Sequence, residues 1–529
     1  MKRIKVFLGN ALILAAVTLF MRTVSVVWGA YVSRIIGAEG MGLFSLITSA
    51  YGFAVVLATS GINLATVRLV SEEIAFGRGR GATGAVVRCL AYALIFGGAS
   101  FFLLFFGADF IGNNILGDAR TVISLRTLSI SLPFIAVTNV FAGYFSAVRR
   151  IYKSAAANIV EQFIKIGIIL STIGMLAPRG IEYACLALVI GTSVSEGLSF
   201  SYMFVMYLID RRRLPRSDAT VPHDLVRRMI GISLPVAAGA YLRSGLVTLE
   251  HVLIPRGLRA YGENATEALS LYGVVHGMVF PLVLFPAALC QTFASLIVPE
   301  LSEMSATYGT KKDNRHINYV VSRSIKFGLM FALITAAVFI TFADGLGELV
   351  YHNALCAKYI RIFGVLVPVM YLDTVVDGML KGLGEQMASM RYNIIDAAAS
   401  VALVLLLTPR LGVDGYVLCV FITEILNASL SLHRLIKVTG VRLKIIEYVA
   451  VPALAAAGAA AASNLVFRPI GMPTAMFVII GITVCAAVYL ALSRLLGAIS
   501  RDDVRWAKNA MKYTRSRRAQ STQRKAPEK

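Results

Sequence analysis

Apolar stretches of about 20 residues recur along the whole chain, separated by short polar segments. A stretch of that length is what an α-helix needs to cross the hydrocarbon core of a bilayer. The pattern predicts about 14 membrane-spanning helices, and hence an all-α integral membrane protein. Their approximate bounds are 8–33, 41–67, 85–107, 122–147, 156–176, 183–209, 229–255, 266–298, 320–342, 355–380, 391–408, 414–436, 446–467 and 473–496.

The first apolar stretch follows a basic start, "MKRIKVFLGNALILAAV", in the manner of a secretory signal peptide. However, it continues well beyond a normal signal sequence, and no small-residue cleavage site follows it. We therefore expect a retained first helix. Span 8 is unusual because Pro281 and Pro286 each remove a backbone donor, which predicts a kinked or broken helix there.

The composition agrees with this pattern. Hydrophobic residues make up 57% of the 529 residues, charged residues only 15%, and the mean hydropathy is +0.74. A soluble protein would carry about 25% charged residues. The polar segments are too short for a folded soluble domain, so any activity is expected within the membrane helices.

The distribution of charge indicates the orientation. The net charge is +22, but the Lys and Arg residues gather in alternate short segments such as "VRRIYK" and "DRRRLPR". Such alternation is typical of cytoplasmic loops. It predicts a multi-pass protein of the cell membrane with both termini in the cytoplasm, and it does not favour a nucleic-acid partner.

Motifs for catalysis or metal binding are missing from the sequence. There is no phosphate-binding loop, no HExxH and no nucleophile elbow, so we expect no enzymatic activity and no cofactor. The six cysteines are scattered, without a CxxC pair, which suggests neither a disulfide framework nor a metal site.

The sequence also repeats itself. "GLFSLITSAY…ATVRLVSEE" matches "LYGVVHGMVF…LIVPELSEM", pairing Gly42 with Gly273, and "AGYFSAVRRIYKSAAANIVEQ" matches "DGMLKGLGEQMASMRYNIIDA", pairing Gly143 with Gly378. Spans 1–6 therefore duplicate spans 7–12, and because six is even the copies form a parallel repeat. The predicted domains are an N-terminal six-helix lobe at 1–210, a C-terminal six-helix lobe at 211–440, two extra transmembrane helices at 441–497 and a basic cytoplasmic tail at 498–529.

Each half carries an arginine near the middle of its first span. Arg22 lies in "LFMRTVSVVWG", and Arg243 occupies the matching region of "AYLRSGLVTLEH". An arginine at a helix centre costs roughly 3 kcal/mol on insertion scales, so such residues normally face a protein interior or a wet cavity. Thr18 and Ser25 share a helix face with Arg22. The alternative for Arg243 is a local ion pair with Glu250.

Two such guanidinium groups suit a phosphate ligand, because each can donate two parallel hydrogen bonds to its oxygens. We expect an anionic ligand in a cavity, in particular a diphosphate. Arg34 and Arg256, at the outer ends of the same helices, could guide the head group or anchor the helices at the interface. His276, the only basic group of span 8, is a further substrate-binding candidate or a hydrogen-bonded interior histidine.

Polar and acidic residues of the second half could couple transport to Na⁺ or H⁺. The candidates are Asp377, Asn393, Asp396 and Glu424. The alternative is that they only bridge helices, as acids in membrane bundles often do. For Asp377, a local ion pair with Lys381 would largely explain why a carboxylate occurs in this span.

The opening "FLGNALILAAVTLFMRTVSVVWGAYVSRIIGAEGMGLFSL", the matching halves and "LIVPELSE" resemble the multidrug/oligosaccharidyl-lipid/polysaccharide (MOP) exporter superfamily. Within it, the sequence resembles the stage V sporulation protein B and polysaccharide biosynthesis group, which is related to MurJ-type lipid II flippases. The resemblance covers spans 1–14. It implies a MATE-like, V-shaped pair of six-helix lobes around a cavity.

The resemblance further implies a flippase that moves undecaprenyl-diphosphate-linked glycans from the inner to the outer leaflet. Arg22 and Arg243 would hold the diphosphate, and spans 13–14 would accommodate the polyprenyl chain. MurJ-type proteins carry further cavity arginines on later helices, and span 8 of this sequence has none. Two other functions stay open: a cation-coupled multidrug exporter of the same superfamily, and a non-transporting membrane scaffold for wall synthesis that recruits partners through its basic tail.

Overall fold

The computed structural model describes residues 2–59, 61–212, 224–308, 315–467 and 474–499, with side chains from residue 18 onwards except 307–308 and 466–467. These residues contain no strand. Their α-helices are α1 Lys2–Thr59, α2 Ile62–Ala75, α3 Gly79–Phe110, α4 Val122–Ser129, α5 Leu132–Ala147, α6 Ile151–Leu176, α7 Ile181–Arg211, α8 Leu225–Tyr261, α9 Ala265–Tyr272, α10 Phe280–Val283, α11 Ala287–Tyr308, α12 Arg315–Thr341, α13 Ala343–Leu346, α14 Ala354–Gly382, α15 Gln386–Thr439, α16 Val451–Phe467 and α17 Thr474–Leu495.

The expected all-α membrane architecture is confirmed. The described residues contain 11 helices that are long and apolar enough to cross a membrane, or up to 12 if the bent pair Ala119–Ser129 and Leu132–Ala147 forms one span. Each predicted span overlaps one of these helices or the bent pair, and predicted span 8 continues beyond Val283 into α11. The predicted number of 14 is approximate, because α1 and α15 each extend over two predicted spans.

Two glycines break these long helices. In α1, Gly37 has φ 68°, and in α15, Gly412 has φ 62°. Positive φ is strained for residues with a Cβ atom but open to glycine. The chain thus passes from one span to the next through a single residue, where a polar loop would have been the simpler expectation.

The predicted break in span 8 is also confirmed. Helix α9 leads into a π-helical turn, Gly273–Val279, which is followed by the single turn of α10 and then by α11. Pro281 lies at the start of α10, and Pro286 immediately precedes α11. A proline cannot donate the i→i−4 hydrogen bond, so a regular helix ends or bends at these positions.

The chain forms two compact units that are each discontinuous in sequence. The first unit consists of Met1–Ala30, Met278–Asp396 and Val420–Lys529, and the second of Tyr31–Gly277 and Ala397–Cys419. The two six-helix lobes and the domain bounds inferred from the repeat stay predictions.

The core of the second unit is built on α2, α3, α5 and α7. Phe141, Tyr144 and Phe145 of α5 are fully buried there. The ring of Tyr207 on α7 stacks on Phe141 with a centroid distance of 5.0 Å. Large aromatic side chains of this kind supply most of the packing contacts between neighbouring helices.

The core of the first unit is centred on α14, which packs against α11 and α12. The buried hydroxyl of Tyr371 on α14 donates to the carbonyl oxygen of Val283 at 2.6 Å. The hydroxyl of Tyr489 on α17 donates to the carbonyl oxygen of Met330 on α12 at 2.9 Å. These bonds satisfy buried polar groups and connect helices that are far apart in sequence.

Two glycines that correspond in the repeat contact each other inside the second unit. A Cβ atom on Gly273 would lie 2.5 Å from the backbone nitrogen of Gly42 and 2.0 Å from the carbonyl oxygen of Ala38. A Cβ atom on Gly42 would lie 2.1 Å from the carbonyl oxygen of Leu269. Only glycine allows so close a backbone approach.

Candidate functional site

Arg22 lies on the surface of α1, within the first unit. Thr18 and Ser25 are exposed on the same helix, and the Ser25 hydroxyl donates to the carbonyl oxygen of Met21 at 2.9 Å. Thr18 also makes a contact. None of the residues whose side chains are described forms an ion pair with Arg22. Among the described side chains, none occupies the donors of this guanidinium group with a carboxylate.

Arg243 is exposed on α8, within the second unit. The local pair with Glu250 that the sequence allowed does not form, because Arg243 makes no ion pair with any described residue. Glu250 makes other contacts. Arg22 and Arg243 are thus alike, since each is exposed and forms no ion pair with a described residue. They belong to different units.

Some other cations near or within the membrane-crossing helices are paired. On α12, the ammonium group of Lys326 lies 2.9 Å from Oε1 of Glu447, and its side chain is only 3% exposed. Arg120 lies 2.8 Å from Oε1 of Glu39. A buried charge without a partner is strongly destabilising, so pairing is what a purely structural cation requires. Arg22 and Arg243 differ from these paired cations.

Arg34 and Arg256 both have contacts within the protein. Arg256 is exposed, and its Nη2 atom donates to the carbonyl oxygens of Asn114 and Ile115, the latter at 2.7 Å. These carbonyls belong to the π-helical turn Ile111–Leu116 that follows α3. Cations commonly bind the last carbonyl groups of a helix in this way. Arg34 is exposed on α1 and also makes a contact.

His276 belongs to a cluster of aromatic and imidazole rings in the second unit. Its Nε2 atom shares a hydrogen bond with the Tyr416 hydroxyl at 2.5 Å. His251 bonds through Nδ1 to the Tyr272 hydroxyl at 2.8 Å, and the two imidazole rings are 4.6 Å apart. His276 is therefore a hydrogen-bonded interior histidine, the second of the two roles expected for it, and its substrate-binding role stays a prediction.

Asp377 and Asn393 meet in a polar network of the first unit. Oδ2 of Asp377 lies 2.5 Å from the Lys381 ammonium group, and Oδ1 accepts a hydrogen bond from the Ser389 hydroxyl. The Asn393 amide donates to the carbonyl oxygen of Ser389 at 2.9 Å. The network connects α14 to the start of α15.

Further polar groups of the same unit lie on these helices. The Asn427 amide donates to Oδ2 of Asp373 at 3.1 Å. Asp396 and Glu424 are half-buried on α15, and each has a contact. Among the described residues, no group of three or more His, Cys, Asp or Glu side chains could hold a metal ion.

Sequence reasoning missed Glu196 on α7. This half-buried carboxylate interacts electrostatically with Glu161 and Lys165 on α6. Nearby, the Tyr51 hydroxyl shares a hydrogen bond with the Ser131 hydroxyl at 2.6 Å. The sequence did contain a signal, since Glu196 interrupts the apolar stretch of span 6. Without knowledge of how α6 and α7 pack, it could not be placed beside the other two.

The long apolar helices and the charged groups within them define the class as multi-pass membrane proteins. Residues 7–287, more than half of the chain, match the family described as polysaccharide biosynthesis protein. The chain belongs to this family.

Two relatives from Bacillus subtilis (strain 168) cover most of the chain. Stage V sporulation protein B is 23% identical over 506 residues, which is 94% of this chain and 97% of that protein. Lipid II flippase MurJ is 22% identical over 457 residues, 77% of this chain and 81% of that protein.

Two solved structures share the fold. A lipid II flippase MurJ in an inward closed conformation superposes with a TM-score of 0.68 at 14% identity, covering 91% of this chain and 98% of that one. An inward-facing multidrug resistance MATE family transporter of the MOP superfamily gives a TM-score of 0.60 at 15% identity, covering 80% and 98%.

Proposed function

We propose that the protein is a flippase that moves an undecaprenyl-diphosphate-linked glycan from the inner to the outer leaflet for cell-wall, spore-cortex or polysaccharide synthesis. It acts as a transporter and carries out no bond chemistry. Family membership and the two Bacillus relatives, one named as a lipid II flippase and one as a sporulation protein, support this class of substrate.

The proposal depends on the surroundings of Arg22. Its guanidinium group lies on a membrane-crossing helix, and the described side chains provide no carboxylate for it. An arginine within a membrane span is costly unless it has an anionic partner. A diphosphate supplies that partner, because its oxygens accept bidentate hydrogen bonds from a planar guanidinium.

We assign different roles to the remaining residues that are predicted to contact the substrate. Arg243 is the second diphosphate ligand, since it too lacks an ion-pair partner among the described residues. Thr18 and Ser25 extend the polar face of Arg22. Arg34, Arg256 and His276 already contact the protein, and we assign them supporting positions.

Transport is coupled to Na⁺ or H⁺ through the first unit. The polar groups assigned to this step are Asp377, Asn393, Asp396 and Glu424. Hard cations take oxygen ligands, and the Asp377 network presents carboxylate, hydroxyl and carbonyl oxygens within a few ångströms. Imposing a Na⁺ or pH gradient on vesicles that contain the protein should change the flipping rate, and an unchanged rate under both gradients would rule out this coupling.

The test of the function uses Arg22→Ala and Arg22→Lys in proteoliposomes loaded with an undecaprenyl-diphosphate-linked glycan. Hydrogen bonds to charged groups contribute about 1.5–3 kcal/mol, so alanine should slow flipping roughly 10- to 100-fold. Lysine keeps the charge but loses the bidentate geometry, and should retain part of the rate. Arg391→Ala, which removes an exposed arginine at the start of α15, is the matched control.

Two results would reject the proposal. Undiminished flipping by Arg22→Ala would show that the guanidinium is not needed for the diphosphate. Efflux of a cationic dye that is unaffected by the arginine change would indicate the multidrug exporter. A scaffold, by contrast, should lose its function when residues 501–529 are deleted and tolerate both substitutions. That basic tail lies outside the described residues.

A further inference from the structure

An open groove of about 500 Å³ lies in the first unit, where α16 begins and α17 ends. Its volume is within the range of about 300–1,000 Å³ that is typical of ligand pockets. The lining is mostly apolar and consists of Leu443, Lys444, Ile445, Ile446, Glu447, Val451, Leu496, Gly497 and Ala498. Both helices are long and apolar enough to cross a membrane, so the groove opens where their ends meet the interface.

The apolar residues around the groove are unusually exposed. Ile446 is 74% exposed and Leu495 is 82% exposed, and Ile445 and Leu496 are exposed as well. A protein surface in water rarely presents such a set of large aliphatic side chains together. At the end of a membrane helix, the same surface fits acyl chains.

Most of the charged groups at this site are positive. The Lys444 side chain is 70% exposed, and Arg442 and Arg494, which flank the lining in sequence, are exposed too. The single acid of the lining, Glu447, is already held by Lys326 at 2.9 Å and by Lys444 at 3.2 Å. The rim therefore has a net positive charge that a phosphate group can neutralise.

We infer that this groove binds an anionic phospholipid of the surrounding membrane. The acyl chains lie along Ile446, Val451 and Leu496, and the head-group phosphate is bound by Lys444 with Arg442 and Arg494. Basic pockets between membrane helices bind anionic head groups in this way. The inference is independent of the transported substrate, because it uses neither Arg22 nor Arg243.

A tryptophan reporter in the groove tests this site. The chain has two Trp residues, so Ile446→Trp in a Trp28→Phe/Trp506→Phe background gives a single reporter. The full-length protein is reconstituted with phosphatidylglycerol or phosphatidylcholine carrying brominated acyl chains, which quench Trp on contact. We expect brominated phosphatidylglycerol to quench at a much lower mole fraction than brominated phosphatidylcholine. The mole fraction needed should fall by about fivefold for each cation that binds the phosphate.

A triple variant and a matched control test whether the three basic residues cause the preference for phosphatidylglycerol. Arg442→Gln/Lys444→Gln/Arg494→Gln should abolish the preference for phosphatidylglycerol. Arg179→Gln/Arg391→Gln/Arg410→Gln removes the same charge from exposed arginines elsewhere and should preserve it. Native mass spectrometry of the unmutated protein should also show a retained phosphatidylglycerol, which does not depend on how the variants fold.

Three outcomes would overturn the inference. Equal quenching by the two lipids would show an ordinary apolar surface. Quenching by phosphatidylglycerol that appears only after deletion of residues 501–529 would identify the chain's own tail as the occupant. Loss of quenching on addition of equimolar undecaprenyl diphosphate would assign the groove to the polyprenyl substrate.

Discussion

Individual cations in this protein fall into two groups that the sequence does not distinguish. Arg22, Arg243 and Arg256 all occur in apolar helices, but only Arg256 is hydrogen-bonded to backbone carbonyls. The partner carbonyls of Asn114 and Ile115 are more than 140 residues away along the chain. No local pattern can indicate such a contact, so the sequence could name the arginines and not their separate roles.

This contact predicts a stability effect for Arg256→Met. Two hydrogen bonds to the end of the π-helical turn are lost, and because the guanidinium is exposed we expect a cost of only about 1 kcal/mol. Thermal unfolding in detergent would measure it, while glycan flipping should fall far less than in Arg22→Ala. Arg410→Met, at another exposed arginine, should change neither. Unchanged stability together with lost flipping would instead favour the predicted substrate role of Arg256.

At the scale of elements, the length of the apolar stretches made the spans predictable. Prolines likewise indicated the broken helix at span 8. The connections between spans 1 and 2 and between spans 11 and 12 were not predictable, because a single glycine with positive φ replaces a loop. The neighbours of each helix depend on side-chain packing over long sequence distances, and for this reason the proximity of Glu196 to α6 was missed.

The contact between Gly42 and Gly273 predicts a sharp difference between two glycine substitutions. Gly273→Ala places a methyl group against backbone atoms at 2.0 and 2.5 Å, and we expect a loss of roughly 1–3 kcal/mol or more from overpacking. Gly231→Ala on α8 meets no atom within 4 Å and should be neutral or slightly stabilising. Folded yield and thermal unfolding in detergent measure both. Equal stability of the two variants would contradict the close packing.

At the scale of the whole molecule, the alternation of basic segments predicts which side each loop faces. Position 311 belongs to the basic segment "GTKKDNRH", which should be cytoplasmic, whereas Glu263 follows α8 in a segment that should face outside. All six native cysteines are buried. A thiol introduced on a loop therefore reports on its own position with little background.

Labelling with a membrane-impermeant maleimide tests this topology. Intact cells should label Glu263→Cys, and Lys311→Cys should react only after the membrane is opened. The unmutated protein is the control and should stay unlabelled in both conditions, because its thiols are inaccessible. Reaction of both positions from the same side would reject the predicted orientation of the termini.

The predicted duplication gives the contact between Gly42 and Gly273 a further consequence for how the chain can change. Were one half to assemble with an identical copy, a single substitution at this glycine would bring two new side chains into the same confined space. In one fused chain, each glycine is encoded separately, so the backbone contact can be altered from one side at a time. In a fused chain, a single mutation can therefore produce an asymmetric packing of the two halves. A symmetric pair could reach such a packing only by accommodating two new side chains at once.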